Sequence, residues 1–148
     1  MADTDSHVIQ IFNPDGTCQI IGTYDEANQL HFPKDVVSDT QGNIYVTQSD
    51  GTEEFHITKF NANGSYITAF PVGATSTYGI TIDQNDIIYT LTNQTEYPYG
   101  NTVKTWTTEG ILLSEWNVMG GGGSGIAVDE KGYVYISFPS MNYIRKYR

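Results

Sequence analysis

Basic residues are scarce: seven Lys or Arg stand against seventeen Asp or Glu, for a formal net charge of −10 and a pI near 4.4. Phosphate backbones and anionic bilayers are held mainly through Lys and Arg, so neither nucleic acid nor a membrane surface is an expected partner. Cysteine is nearly missing as well. Cys18 stands alone, which excludes an internal disulfide and gives no support to a cysteine-based metal site. No apolar run approaches the ~18–20 residues needed to cross a bilayer as a helix. Stretches rich in Ala, Leu, Glu and Lys with a 3.6-residue period are also absent, so almost no helix is expected. The three histidines form no His-x-His or His-Glu-x-x-His spacing, and no Gly-x-Ser-x-Gly occurs. Residues 1–6 are polar and acidic without an apolar stretch. They read as a disordered N-terminal segment rather than a secretory signal, and the compartment stays open.

What the chain does have is glycine and aromatics: 15 Gly, 11 Tyr, 6 Phe and 2 Trp. That composition favours short strands joined by tight turns. A repeat organises them. Residues 34–47, 79–92 and 125–137 share one pattern, an apolar strand ending at Asp39, Asp83 or Asp129, a polar turn, and a second strand carrying Tyr45, Tyr89 or Tyr135. Tyr89 follows Tyr45 by 44 residues, and Tyr135 follows Tyr89 by 46. A second hairpin turn recurs around Gly16, Gly64 and Gly110, at spacings of 48 and 46. Asn-Gly and Asp-Gly between apolar runs mark hairpins, because the turn needs a positive φ that glycine adopts without a Cβ clash.

Four short strands in about 45 residues is the period of a β-propeller blade. The predicted fold is all-β, with blades of four antiparallel strands labelled A to D from the axis outward, about three blades per chain. After the disordered residues 1–6, residues 7–31 supply C and D strands, 32–70 and 71–116 one blade each, and 117–148 strands A to C. Thirteen strands result. A sandwich or solenoid accounts for the strands but not for the four-strand period.

The pattern resembles the NHL-repeat family of β-propellers. Its carriers are Phe32-Pro33, the Gly-Ile-x-x-Asp of Gly79 to Asp83 and of Gly125 to Asp129, and the Tyr-Val or Tyr-Ile of the B strands. The second unit departs by lacking the proline before strand A and by its long B–C connection. The resemblance implies a six-bladed ring, of which this chain supplies about half. Open blade faces drive association, so a homodimer closing the ring is expected, with a piece of a longer propeller as the competing reading.

In a propeller the D–A and B–C connections share one face, where ligands bind. Here that face gathers residues 30–35, 74–78 and 119–124, with 49–55, 93–101 and 139–142. The candidate ligand-binding residues are His31, Lys34, Asp35, Tyr78, Tyr97, Tyr99 and Ser124. Tyr97 and Tyr99 flank a proline in the long second B–C connection, and aromatic rings with polar tips suit protein or carbohydrate partners. The run Gly120 to Gly125 fits Gly-x-Gly-x-x-Gly, yet a strand rather than a helix follows, so it reads as a flexible loop and not a dinucleotide site. Asp39, Asp83 and Asp129 invite a calcium reading, but they lie on separate blades at turns that Asp stabilises by itself. No catalytic residue, metal ligand or cofactor is assigned. The expected function is a non-catalytic interaction scaffold for a protein or small ligand. The resemblance supplies the alternative: a metal-dependent lactonase- or lyase-like enzyme whose site forms on dimerisation, with His31 and Asp35 of two copies converging.

Overall fold

A computed structural model describes residues 1–22, 30–49, 54–94, 100–119 and 122–148 of the chain. Fourteen strands and one 3-10 turn, Pro139–Met141, make up its regular structure among those residues. The chain divides into two compact units, Met1–Gly73 and Ala74–Arg148.

The first unit holds two sheets. β1 (Ala2–Asp3), β2 (Val8–Phe12) and β3 (Cys18–Ile21) form one in that order, and β4 (Asp35–Ser38), β5 (Ile44–Ser49), β6 (Phe55–Phe60) and β7 (Tyr66–Pro71) the other. The second unit repeats the plan with the short sheet last. β8 (Thr77–Ile82), β9 (Ile88–Gln94), β10 (Gly100–Trp106) and β11 (Leu112–Val118) form four strands in order, followed by β12 (Gly125–Val128), β13 (Val134–Phe138) and β14 (Tyr143–Tyr147). All neighbours are antiparallel and sequential. The two complete sheets are A-B-C-D blades. The first sheet is B-C-D and the last A-B-C.

One strand more is present than expected. Residues 1–6, read as disordered, carry β1. The amino terminus donates to the Gln10 carbonyl at 2.7 Å, the Gln10 amide donates to the Met1 carbonyl at 2.8 Å, and the Gln10 side-chain amide reaches Asp3 Oδ2 at 3.1 Å. A two-residue strand of Ala and Asp has no alternation of its own to read, and pairing with β2 creates it.

Burial follows the blade plan. β5 is buried from Ile44 through Gln48, as suits a central strand covered on both faces. The A strands β4 and β12, each at one edge of its sheet, are only half-buried. Ile9, Ile21, Leu30, Ile44, Val46 and Phe60 make the core of the first unit. Leu91, Val103, Val118, Val134, Ile136 and Phe138 make that of the second. Threonines fill polar gaps in the buried strands. The Trp106 indole donates to Thr90 Oγ1 at 3.1 Å, and the Thr92 hydroxyl to the Thr102 carbonyl at 3.2 Å, so burial leaves these groups paired.

Candidate functional site

The three repeated aspartates come first, because they fix the A–B turns. Asp39 Oδ1 accepts the amides of Gln41 (3.0 Å) and Asn43 (2.8 Å), while Oδ2 accepts the Asn43 side chain (2.8 Å) and the Tyr45 hydroxyl (2.9 Å). Asp83 accepts the amides of Asn85 and Ile87, both at 2.9 Å, and the Tyr89 hydroxyl at 3.3 Å. Asp129 accepts the amides of Lys131 and Tyr133, both at 2.9 Å, and the Tyr135 hydroxyl at 2.9 Å. Partial burial pushes the Asp39 carboxyl upward, but the donors from Asn43, Tyr45 and Gln41 outweigh it and hold the group below its ordinary value. Asp129 is lowered in the same way: desolvation raises it, and hydrogen bonds from Tyr133, Tyr135 and Lys131 prevail. Burial beside Asp83 raises the Tyr89 phenol. These carboxylates are turn acceptors, with donors on both oxygens of each.

In the first unit, the segment from Leu30 to Asp35 gathers His31, Lys34 and Asp35. Leu30 anchors it in the core at 1% exposure. The His31 amide donates to Gln48 Oε1 at 2.8 Å, and Gln48 Nε2 donates in turn to Thr58 Oγ1 at 2.7 Å. The Lys34 amide donates to the Thr47 carbonyl at 2.8 Å, leaving its side chain exposed. Asp35 Oδ1 accepts the amide of Val36 at 2.9 Å.

His7 joins this group, which the sequence did not suggest. It was expected in an outer strand, yet it lies in the turn before β2 with φ 57°. Its Nδ1 accepts the amide of Phe32 (φ 46°) at 3.1 Å. The two rings meet edge to face at 4.5 Å, and the His31 ring lies 6.4 Å from that of His7. Thr4 donates to the Pro33 carbonyl at 2.7 Å and closes the same contact. Positive φ is costly for a bulky residue such as Phe32. The hydrogen bond and ring contact hold it there. Nothing local in the sequence links positions 7 and 32, so only the fold reveals the pair.

The second unit places the other described candidates. Tyr78 is the extra residue where the β8–β9 register shifts between Thr77 and Gly79, and it is 42% exposed. A bulge re-aims a side chain, here towards solvent. Ser124 Oγ lies 3.3 Å from Ser137 Oγ, and its amide donates to the Ser137 carbonyl at 3.0 Å. Next to it, the Gly123 amide donates to Asn101 Oδ1 at 2.8 Å. A Cβ on Gly123 would stand 3.1 Å from both Asn101 Oδ1 and Ile136 Cγ2. This end of the glycine run, read as a flexible loop, is therefore a buried point of close packing. Tyr97 and Tyr99 lie outside the described residues. Among the described residues of one chain, no group of three or more His, Cys, Asp or Glu comes close enough to hold a metal ion.

No protein-family model matches the chain, and no curated protein does. Solved structures do. A functionally unknown protein from Desulfotomaculum acetoxidans DSM 771 superposes with a TM-score of 0.69 at 17% identity, over 99% of this chain and 45% of that one. A gluconolactonase from Xanthomonas campestris superposes with a TM-score of 0.63 at 18% identity, over 89% of this chain and 49% of that one. The chain thus spans under half the length of both. With the four-strand sheets, these likenesses establish its fold: it is built of β-propeller blades.

Proposed function

We propose that the chain is a non-catalytic interaction scaffold of the NHL-repeat type, working as an assembly with a second copy. Each unit offers its D–A and B–C connections to a protein or small ligand. The observation that carries this reading is how the side chains capable of chemistry are used. Asp39, Asp83 and Asp129 hold turns, and His7 holds the backbone of Phe32. The same connections meanwhile expose large apolar groups: Phe32 at 46% in the first unit, and Tyr78 at 42%, Met119 at 81% and Met141 at 49% in the second. Exposed apolar and aromatic groups on rigidly held connections favour contact over catalysis.

The likeness to a gluconolactonase favours a second reading, a lactonase-type hydrolase completed by a second copy. Fold alone does not carry activity. The two readings separate in one assay, gluconolactone hydrolysis by the purified chain with and without added divalent cations. The scaffold reading expects the uncatalysed rate throughout. Saturable hydrolysis that disappears in His31→Ala overturns it.

A further inference from the structure

The contact between His7 and Phe32 depends on the charge of an imidazole. The Phe32 amide donates to His7 Nδ1 at 3.1 Å. A backbone N–H can only donate, so Nδ1 carries a lone pair and the proton of the neutral ring sits on Nε2. An imidazolium bears N–H on both nitrogens and offers no acceptor. Protonating His7 therefore removes this bond and sets two donors against each other. Histidine is the side chain that ordinarily changes charge between about pH 5 and 8.

What the bond holds is strained. Phe32 has φ 46° and His7 φ 57°, and the left-handed region is rare for a ring as bulky as Phe. Pro33 follows, and a proline drives the residue before it towards extended backbone. The rest of the connection is anchored without the imidazole. Leu30 and Pro33 are buried, and the Pro33 carbonyl takes the Thr4 hydroxyl at 2.7 Å. The amides of His31 and Lys34 donate to Gln48 Oε1 and to the Thr47 carbonyl, both at 2.8 Å. On the other side, the His7 amide donates to the Thr4 carbonyl at 3.4 Å, and a Cβ on Gly22 would stand 3.2 Å from the His7 carbonyl. The ring can let go while both segments keep their other contacts.

We infer that His7 is a pH-operated latch: neutral, it clasps Phe32 in the left-handed conformation, and protonated, it releases Phe32 towards extended backbone. Among the described residues, the other titratable groups around it are the amino terminus, Asp3 and Asp5 on its own side, and His31, Lys34 and Asp35 on the facing connection. The amino terminus is held on the Gln10 carbonyl, and Asp3 and Asp35 accept the amides of Ser6 and Val36. The His31 ring, 6.4 Å from that of His7, adds repulsion once both are charged. The released connection carries His31, Lys34 and Asp35, so the face proposed for ligands changes shape with pH. The latch belongs to the fold of the first unit and stands whether or not that face binds a partner.

The test is an NMR titration of the isotope-labelled chain from about pH 8 to about pH 5.5. The imidazole nitrogens of His7 report where the proton sits, and the Phe32 amide reports the bond. At the upper pH the ring is expected with its proton on Nε2. As Nδ1 gains a proton, the Phe32 amide is expected to shift with the same midpoint. Its protection, corrected for the pH dependence of an unstructured amide, should fall about tenfold, while the amides of His31 and Lys34 keep theirs. His7→Asn sets an uncharged acceptor, Oδ1, where Nδ1 stood, and Asn tolerates positive φ. Its Phe32 amide should stay protected across the titration, although every other titratable group remains. A ring with its proton on Nδ1 at the upper pH, a Phe32 amide still protected after Nδ1 is protonated, or an equal response in His7→Asn overturns the inference. Loss of protection in β2 and β5 along with Phe32 also overturns it, because the event is then unfolding.

Discussion

Two oxygens of Asp39 accept four hydrogen bonds, and one donor is the hydroxyl of Tyr45, a residue at 0% exposure. Removing that donor leaves a carboxylate short of one partner in a half-buried turn. Tyr45→Phe is expected to cost about 1–1.5 kcal/mol, read from urea unfolding. Tyr89→Phe should cost less, because its contact with Asp83 is longer at 3.3 Å. The sign of the pH effect follows from the lowered Asp39 carboxyl. A group whose folded pKa lies below its unfolded one stabilises the fold fully above the unfolded value, near 3.8. That contribution is lost as pH falls through the folded value. Unfolding free energy should therefore drop below about pH 4, and less steeply in Tyr45→Phe, where a donor holding the pKa down is gone. Glycines at the C–D turns make a matched pair. Gly16 (φ 86°) and Gly64 (φ 81°) share the turn conformation, but a Cβ at 16 meets nothing within 4 Å whereas one at 64 stands 2.8 Å from Ile21. Gly16→Ala should cost about 1 kcal/mol from backbone strain alone, and Gly64→Ala clearly more. Equal losses in thermal or urea unfolding would contradict the packing assigned to Gly64.

Among the elements, Gly123 tests how a connection is locked to its sheet. Gly123→Ala should cost about 1–3 kcal/mol, as overpacking against Ile136 and Asn101 does, with the change visible in unfolding curves. The strands themselves were legible because their signals are local. Asp or Gly at a hairpin turn and alternation in five or six residues need no knowledge of distant chain. The turn role of Asp39, Asp83 and Asp129 was readable for the same reason, although their Tyr donors were seen only as part of the repeat. What escaped the sequence depends on distant partners. β1 exists because β2 pairs with it, and His7 reaches Phe32 across 25 positions. The contact between Gly123 and Asn101, 22 positions apart, packs one residue of a run that was expected to be a flexible loop. Lys34 precedes β4 and Asp35 opens it, and their hydrogen bonds to β5 and to the backbone of Val36 belong to the fold.

For the whole molecule, the sheets run along the chain as B-C-D, A-B-C-D, A-B-C-D and A-B-C. The proposed assembly supposes that a second copy packs against blade surface of this kind. The direct measurement is the mass of the folded chain by sedimentation equilibrium at neutral pH and low salt. The account predicts twice the 16.4 kDa of a single chain. A mass of 16.4 kDa at every concentration, in a sample with a cooperative unfolding transition, contradicts it.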